Sequence, residues 1–160
     1  MKLAELNDLP PREAQAALLK CCGSRRWVKL MMAQRPFATT EDLLTAAEAV
    51  AHELTPDDWL EAFAAHPRIG ERSESAWSQQ EQAAALNAEQ SVQERLARGN
   101  REYEAKFGFI FIVFASGKTP DEILALLEQR MKNERSTEIE NAAGQQRQIT
   151  RNRLQKLLEL

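Results

Sequence analysis

Phe-Ile-Phe-Ile-Val-Phe, residues 109 to 114, is the stretch that decides the fold class of this 160-residue chain. It is the one run with the composition of a β-strand, and no comparable run exists to pair with it. Because a lone strand is not stable in water, the stretch is predicted to be a buried helix or an extended segment of the core. It is also far too short to cross a bilayer. The chain is therefore predicted to be all-α, with no sheet.

Helix-start signals lie on both sides of this stretch. Two matching starts, Thr55-Pro56-Asp57-Asp58 and Thr119-Pro120-Asp121-Glu122, each offer a hydroxyl cap, a proline at the first helical position and acids in the first turn. Gly99 is predicted to end one helix, and Asn100 to cap the next. Helices are predicted over 12–22, 25–33, 41–54, 56–65, 78–98, 100–108, 120–132 and 134–158. Residues 1–160 should thus form a single-domain helical bundle of about eight helices.

Composition narrows the classes of function. The formal net charge of −3 gives no electrostatic reason to expect a nucleic-acid or anionic-membrane partner. No secretory signal follows Met1, so a cytoplasmic location is expected. The adjacent cysteines Cys21 and Cys22 match no zinc spacing and are predicted to be reduced thiols. With His52 and His66 the only histidines, a His-rich metal site is not expected.

One familiar motif is incomplete. Ser116-Gly117-Lys118-Thr119 is similar to the end of a phosphate-binding loop, but the glycine required earlier is replaced by Ile112. Since Pro120 begins a helix directly afterwards, Thr119 is better explained as its cap. Nucleotide binding is not predicted.

The first candidate for chemistry is His66-Pro67-Arg68-Ile69-Gly70, which directly follows a predicted helix. In one interpretation His66 is a C-terminal helix cap, favourable against the helix dipole. In the other, Pro67 restricts the backbone and aims an imidazole that exchanges protons near neutral pH. The residues alone leave both interpretations open.

The second candidate is Ser78-Gln79-Gln80-Glu81-Gln82 at the start of a predicted helix. Ser78 and Glu81 fit a capping box, which is a complete structural explanation for both residues. However, Ser78, Glu81 and Gln82 also share one helix face, and the free N–H groups of a helix start suit an anionic ligand.

The third candidate is Arg153. Arg147 and Arg151, four residues apart, are expected on a solvated face. Arg153 lies about half a turn from Arg151 and beside Leu154, so it could lean inward and bind a carboxylate through two parallel hydrogen bonds. The alternative is an ordinary surface arginine.

Taken together, these pieces resemble the family of 2-oxo-4-hydroxy-4-carboxy-5-ureidoimidazoline (OHCU) decarboxylases. The resemblance covers nearly the whole chain, and five motifs in this order are specific although each alone is weak. The motifs are His66-Pro-Arg-Ile-Gly70, Ser78-x-x-Glu81-Gln82, Tyr103-Glu-x-Lys-Phe-Gly-Phe-x-Phe-Ile-Val113, Ala115-x-Gly-Lys118 and Ile149-Thr-x-x-Arg153-Leu154.

The resemblance implies a carboxy-lyase that converts OHCU to (S)-allantoin in urate (purine) catabolism. It also implies an all-α fold, a homodimer, and no metal or organic cofactor. His66 would be catalytic, with Glu81 beside it, and Arg153 would bind the substrate. The further substrate-binding positions that the resemblance implies are Pro67, Ser78, Gln82, Phe111, Ile112, Val113 and Ala115.

This chain departs from the family pattern at one position, where Phe114 stands in place of the cysteine of many relatives. If the 111–115 segment acts through its backbone, the substitution reshapes the pocket wall and leaves the chemistry in place. Two other classes of function remain open at this point: a helical module that binds a protein partner, and an enzyme acting on a different cyclic ureide.

Overall fold

The computed structural model describes residues 1–68 and 90–159, with Gln90 described by its backbone alone. Within these ranges every regular element is an α-helix and no strand occurs, which confirms the predicted all-α class. None of these helices is long and apolar enough to span a lipid bilayer. The helices are α1 Leu3–Asp8, α2 Pro11–Cys21, α3 Arg25–Gln34, α4 Thr40–Ala51, α5 Pro56–Ala64, α6 Gln90–Phe107, α7 Pro120–Arg130 and α8 Arg135–Leu157.

The chain folds into two compact units. The terminal unit comprises Met1–Ala62 and Gln146–Leu160, and the central unit comprises Phe63–Gln145. Helices α5 and α8 each contribute residues to both units. The extent of a single domain over residues 1–160 stays a prediction.

Local capping explains where several helices begin. The side chain of Thr119 accepts a hydrogen bond from the backbone N–H three residues ahead, as predicted, and the side chain of Ser24 does the same at the start of α3. At α4 the cap is Thr39, whose Oγ1 accepts from the N–H of Asp42 at 3.0 Å, and the helix begins at Thr40, one residue before the predicted start. Both residues are threonines, so the sequence alone offers the helix two possible caps.

In the terminal unit, α3 packs between α2 and α4 around a fully buried apolar core. Helix α1 was not predicted; it contributes one buried side chain, Leu6, and is held by two hydrogen bonds between Asn7 and the backbone of Phe37. Cys21 and Cys22 are free and buried. Burial raises the pKa of Cys21 to about 12 and that of Cys22 to about 11. Both thiols are therefore protonated at neutral pH and are poor nucleophiles.

In the central unit, α6 packs against α7, and an aromatic cluster forms the core beside them. The predicted strand-like stretch is an extended segment without a strand partner, buried along most of its length. Its rings contact the aromatic residues of the neighbouring helices, which confirms the predicted core segment. The cluster consists of Phe63, Tyr103, Phe107, Phe109 and Phe111.

Gly99 does not end a helix, and the predicted break is wrong. Helix α6 continues through Gly99 to Phe107, and Asn100, predicted as a cap, is a buried residue inside the helix. A Cβ atom added at Gly99 would lie 2.4 Å from Cδ2 of Leu127, a core residue of α7. Glycine is therefore present because α7 packs closely on α6 at this point.

Two helical glycines allow a matched test of this explanation. Replacing Gly144 of α8 with alanine should raise the free energy of unfolding by about 1 kcal/mol, because a Cβ there has no atom within 4 Å and alanine favours helix. Gly99→Ala should instead lower it by about 1–3 kcal/mol through overpacking against Leu127. Urea denaturation of both variants measures the difference. Equal stabilisation by both would contradict the packing explanation.

Candidate active site

His66 lies two residues beyond the end of α5 and is partly buried. Helix α5 begins at Pro56, where Thr55 and Asp58 cap each other reciprocally, with the Thr55 N–H and hydroxyl both 2.9 Å from Asp58 Oδ2. At the other end, the backbone N–H of His66 donates to the carbonyl of Phe63 at 3.2 Å. The position of His66 thus follows directly from a helix with a well-defined start and a closed final turn.

The chain beyond His66 is held by an ion pair. Arg68 binds Glu104 of α6 through two parallel hydrogen bonds, Nε to Oε2 at 2.7 Å and Nη2 to Oε1 at 2.8 Å. These hydrogen bonds hold the pKa of Glu104 below its usual range. The pair links Arg68, two residues after His66, to α6, so both sides of the His66-Pro67 dipeptide are connected to helices.

Aromatic packing connects α5 to the extended segment. The rings of Phe63 and Phe109 lie 5.4 Å apart, and the ring of Tyr103 contacts both Phe109 and Phe111. Phe63 precedes His66 by three residues, and Phe109 precedes Phe111 by two. The same core cluster therefore supports the two parts of the central unit on which predicted site residues lie.

The extended segment is held by side chains that bind its backbone. The N–H of Phe114 donates to Gln145 Oε1 at 2.8 Å, and Nζ of Lys118 donates to the carbonyl of Phe114 at 2.7 Å. Arg130 donates from Nη1 to the carbonyl of Ile112. Lys118, part of the incomplete phosphate-loop motif, thus donates a hydrogen bond to the protein's own backbone.

A buried polar network lies behind this segment, and sequence reasoning missed most of it. The carboxylate of Glu138 is fully buried and accepts from the Tyr103 hydroxyl at 2.5 Å and from Arg130 Nε at 2.8 Å. Asn133 and Asn141 each donate to its second oxygen at 2.8 Å. Tyr103 belongs to a recognised motif, whereas Arg130 and Glu138 had no signal beyond being charges within predicted helices.

Arg153 leans inward, as one of its two interpretations predicted. It is 8% exposed and donates from Nη1 to the carbonyl of Lys20 at 3.0 Å, so it is not an ordinary surface arginine. Arg151 is exposed, and Arg147 pairs with Glu48 at 2.9 Å on the surface of the terminal unit. Only Arg153 of the three is enclosed by protein.

The predicted site residues fall into three groups. The central unit contains His66, Pro67, Phe111, Ile112, Val113 and Ala115, and the terminal unit contains Arg153. Ser78, Glu81 and Gln82 lie outside the described residues, so their capping and ligand interpretations both stay open. Within the described ranges, no group of three or more His, Cys, Asp or Glu side chains could hold a metal ion.

Comparison with known families supplies the decisive observation. A family model described as OHCU decarboxylase matches residues 7–155. The chain belongs to the OHCU decarboxylase family. The matched range includes all ten predicted site residues, from His66 to Arg153.

Curated relatives of the family agree. The chain is 39% identical over 146 residues to the uric acid degradation bifunctional protein TTL of Arabidopsis thaliana, covering 86% of this chain and 45% of that protein. The chain therefore spans less than half the length of that relative. It is 32% identical over 123 residues to the 2-oxo-4-hydroxy-4-carboxy-5-ureidoimidazoline decarboxylase of Haloferax volcanii, covering 75% of this chain and 73% of that protein.

A solved structure has the same fold. An OHCU decarboxylase crystallised in the presence of (S)-allantoin superposes with a TM-score of 0.78 and is 38% identical in sequence. The match covers 89% of this chain and 96% of that one. The helical architecture is therefore that of an OHCU decarboxylase along nearly its whole length.

The Arg68–Glu104 pair gives a prediction that does not depend on activity. Arg68→Gln should raise the pKa of Glu104 toward its ordinary value, because the hydrogen bonds that favour its ionised form are lost. Side-chain carboxyl NMR across a pH titration measures it. The pKa of Asp58, lowered chiefly by its own bonds to Thr55, is the internal control and should stay low. An unchanged Glu104 pKa would mean that Arg68 does not hold this carboxylate in solution.

Proposed function

We propose that this protein is a carboxy-lyase that decarboxylates OHCU to (S)-allantoin, a reaction of urate degradation. The observation that carries the proposal is membership of the OHCU decarboxylase family over residues 7–155. The high coverage of a solved OHCU decarboxylase supports it further. The substrate is a small, polar, anionic ureidoimidazoline.

The structure of the substrate explains why the proposed reaction would need no electron-sink cofactor. When the carboxylate leaves as CO2, its bonding electron pair stays on the ring carbon, and the conjugated ring of the substrate can delocalise it. The protein must orient the carboxylate out of the ring plane, stabilise the developing charge and deliver one proton. Decarboxylations of less activated substrates borrow an organic cofactor to stabilise the developing charge.

In this proposal His66 transfers the proton. A neutral or protonated imidazole can act near neutral pH, and a fixed donor on one side of the ring gives one enantiomer. The attachment of the His66-Pro67 dipeptide to α5 and, through Arg68, to α6 supports the role, because proton transfer requires a defined donor position. Glu81 would bind the substrate's hydroxyl or polarise the imidazole.

The remaining residues would bind substrate. Arg153 would bind a carboxylate or carbonyl of the substrate, and its enclosed guanidinium supports this because partial burial strengthens such a pair. Backbone groups of the extended segment would bind the ureide, which has N–H donors and C=O acceptors of matching kind. The full set proposed for binding is Pro67, Ser78, Gln82, Phe111, Ile112, Val113, Ala115 and Arg153.

Two further parts of the proposal concern the assembled protein. A homodimer is proposed because the family resemblance implies it, and sedimentation equilibrium tests it directly. A cytoplasmic location is proposed for an enzyme of intermediary metabolism, and fractionation of the source cells tests it.

The two histidines allow a matched test of the activity. Purified protein supplied with freshly generated OHCU should produce a circular dichroism signal of (S)-allantoin well above the rate without enzyme. His66→Asn should lower turnover by about 10²- to 10⁴-fold, the usual contribution of a proton-transfer group. His52→Asn should leave turnover unchanged, because His52 is exposed at the C-terminal cap of α4 and its Nε2 lies 3.6 Å from Glu48 of that helix.

Each alternative outcome has a distinct meaning. Racemic product at the spontaneous rate would overturn the proposed function and direct attention to other cyclic ureides or to protein partners. Enantioselective turnover that survives in folded His66→Asn would remove His66 from the mechanism while leaving the activity in place.

A further inference from the structure

The two edges of the extended segment 111–115 are used differently. In an extended chain the N–H and C=O of one residue point to one edge, and those of the next residue point to the other. The carbonyl of Ile112 and both backbone groups of Phe114 share one edge, and all three are bound by side chains. The side chains are those of Arg130, Lys118 and Gln145.

The opposite edge belongs to Phe111 and Val113. Within the described part of the chain, no hydrogen bond joins a protein group to the backbone N–H or C=O of Val113, although the residue is buried. Buried backbone groups almost always have partners, and leaving them without one is costly. Among the described residues, the edge of Ile112 and Phe114 attaches the segment to the protein. The edge of Val113 carries the N–H and C=O groups that a ureide would match.

Arg130 is the strongest of the three attachments. Its guanidinium donates to the carbonyl of Ile112 and lies 4.6 Å from the ring centre of Phe111, so it contacts two consecutive residues of the segment. Its remaining contacts are to the protein interior, with Nε bound to Glu138 at 2.8 Å and Nη2 to the Tyr103 hydroxyl at 3.3 Å. Each of the three guanidinium nitrogens, Nε, Nη1 and Nη2, thus donates a hydrogen bond within the protein.

Glu138 in turn holds Arg130. Its carboxylate accepts four hydrogen bonds, from Tyr103, Arg130, Asn133 and Asn141. Burial alone would raise the pKa of Glu138, but these hydrogen bonds outweigh it and the pKa lies below its usual range. Arg130 and Glu138 therefore form a buried ion pair with satisfied geometry.

Stability alone does not explain why an ion pair is buried at this position. Apolar side chains of similar volume are often as stabilising, because two charges must be removed from water. What the pair adds is direction: a planar guanidinium held by a carboxylate can bind a carbonyl at only one place. The network therefore specifies where the segment lies.

We propose that Arg130, oriented by Glu138 and Tyr103, is a positioning residue that sets the Phe111 and Val113 backbone edge for binding of the ureide substrate. The proposal rests on the proposed function. Arg130 acts through the segment and does not contact the substrate, so its effect should appear mainly in substrate binding.

Two conservative variants test the inference. Arg130→Lys keeps the charge beside Glu138 but lacks the planar group that binds Glu138 and Ile112 together. Tyr103→Phe removes only the hydroxyl. Each should raise KM for OHCU by about tenfold, the equivalent of one well-aligned hydrogen bond, with a smaller change in kcat. Arg95→Lys is the matched control, since Arg95 forms an exposed pair with Glu128 in the same unit.

Kinetics are measured at a temperature where far-ultraviolet circular dichroism shows each variant folded. A folded Arg130→Lys with the wild-type KM would overturn the proposal, and so would an equal rise in KM in Arg95→Lys. If Arg130→Lys does not fold, the comparison of Tyr103→Phe with wild type decides the same question.

A second readout separates this inference from the proposed function. Backbone amide NMR shifts of Val113 and Phe114 should change in Arg130→Lys and stay the same in Arg95→Lys, whether or not the protein turns over OHCU. Unchanged shifts in Arg130→Lys would overturn the positioning role. If the shifts change in Arg130→Lys but the wild-type protein has no OHCU activity, the positioning role stands and only the substrate is rejected.

Discussion

The buried carboxylate of Glu138 is the constraint on which the central unit depends. Tyr103 comes from α6, Arg130 from α7, Asn133 from the turn before α8, and Asn141 from α8 itself, and all four donate to it. A buried charge is tolerable only when its hydrogen bonds are complete, so the donors must all lie within reach at once. This requirement fixes the relative placement of three helices.

Packing connects that arrangement to the central-unit segments on which His66 and the 111–115 residues lie. Tyr103 contributes its hydroxyl to the network and its ring to the aromatic cluster, where it contacts Phe109 and Phe111. Phe63 of α5 joins the same cluster, and Arg68 binds Glu104 one residue after Tyr103 in the chain. A small helical protein thus supports a histidine after one helix and an extended backbone segment from a single core.

Arginines of the chain show how environment decides the role of one residue type. Arg95 and Arg147 form surface ion pairs, which contribute little to stability because water and salt screen them. Arg130 is enclosed among aromatic rings and binds backbone, and Arg153 is enclosed in the other unit and binds the carbonyl of Lys20. The enclosed arginines are the ones for which roles in positioning and in substrate binding are proposed.

The sequence by itself determined the all-α class, most helix starts and the family. Caps such as Ser24 and Thr119 depend on hydrogen bonds between residues three apart, and the His66 motif is a continuous stretch of sequence. Both can therefore be predicted from the sequence alone. Only the tertiary structure decided that Gly99 lies inside a helix and that Glu138 binds Tyr103, because their partners are distant in sequence. Long-range packing sets which charges are buried, and helical periodicity does not reveal it.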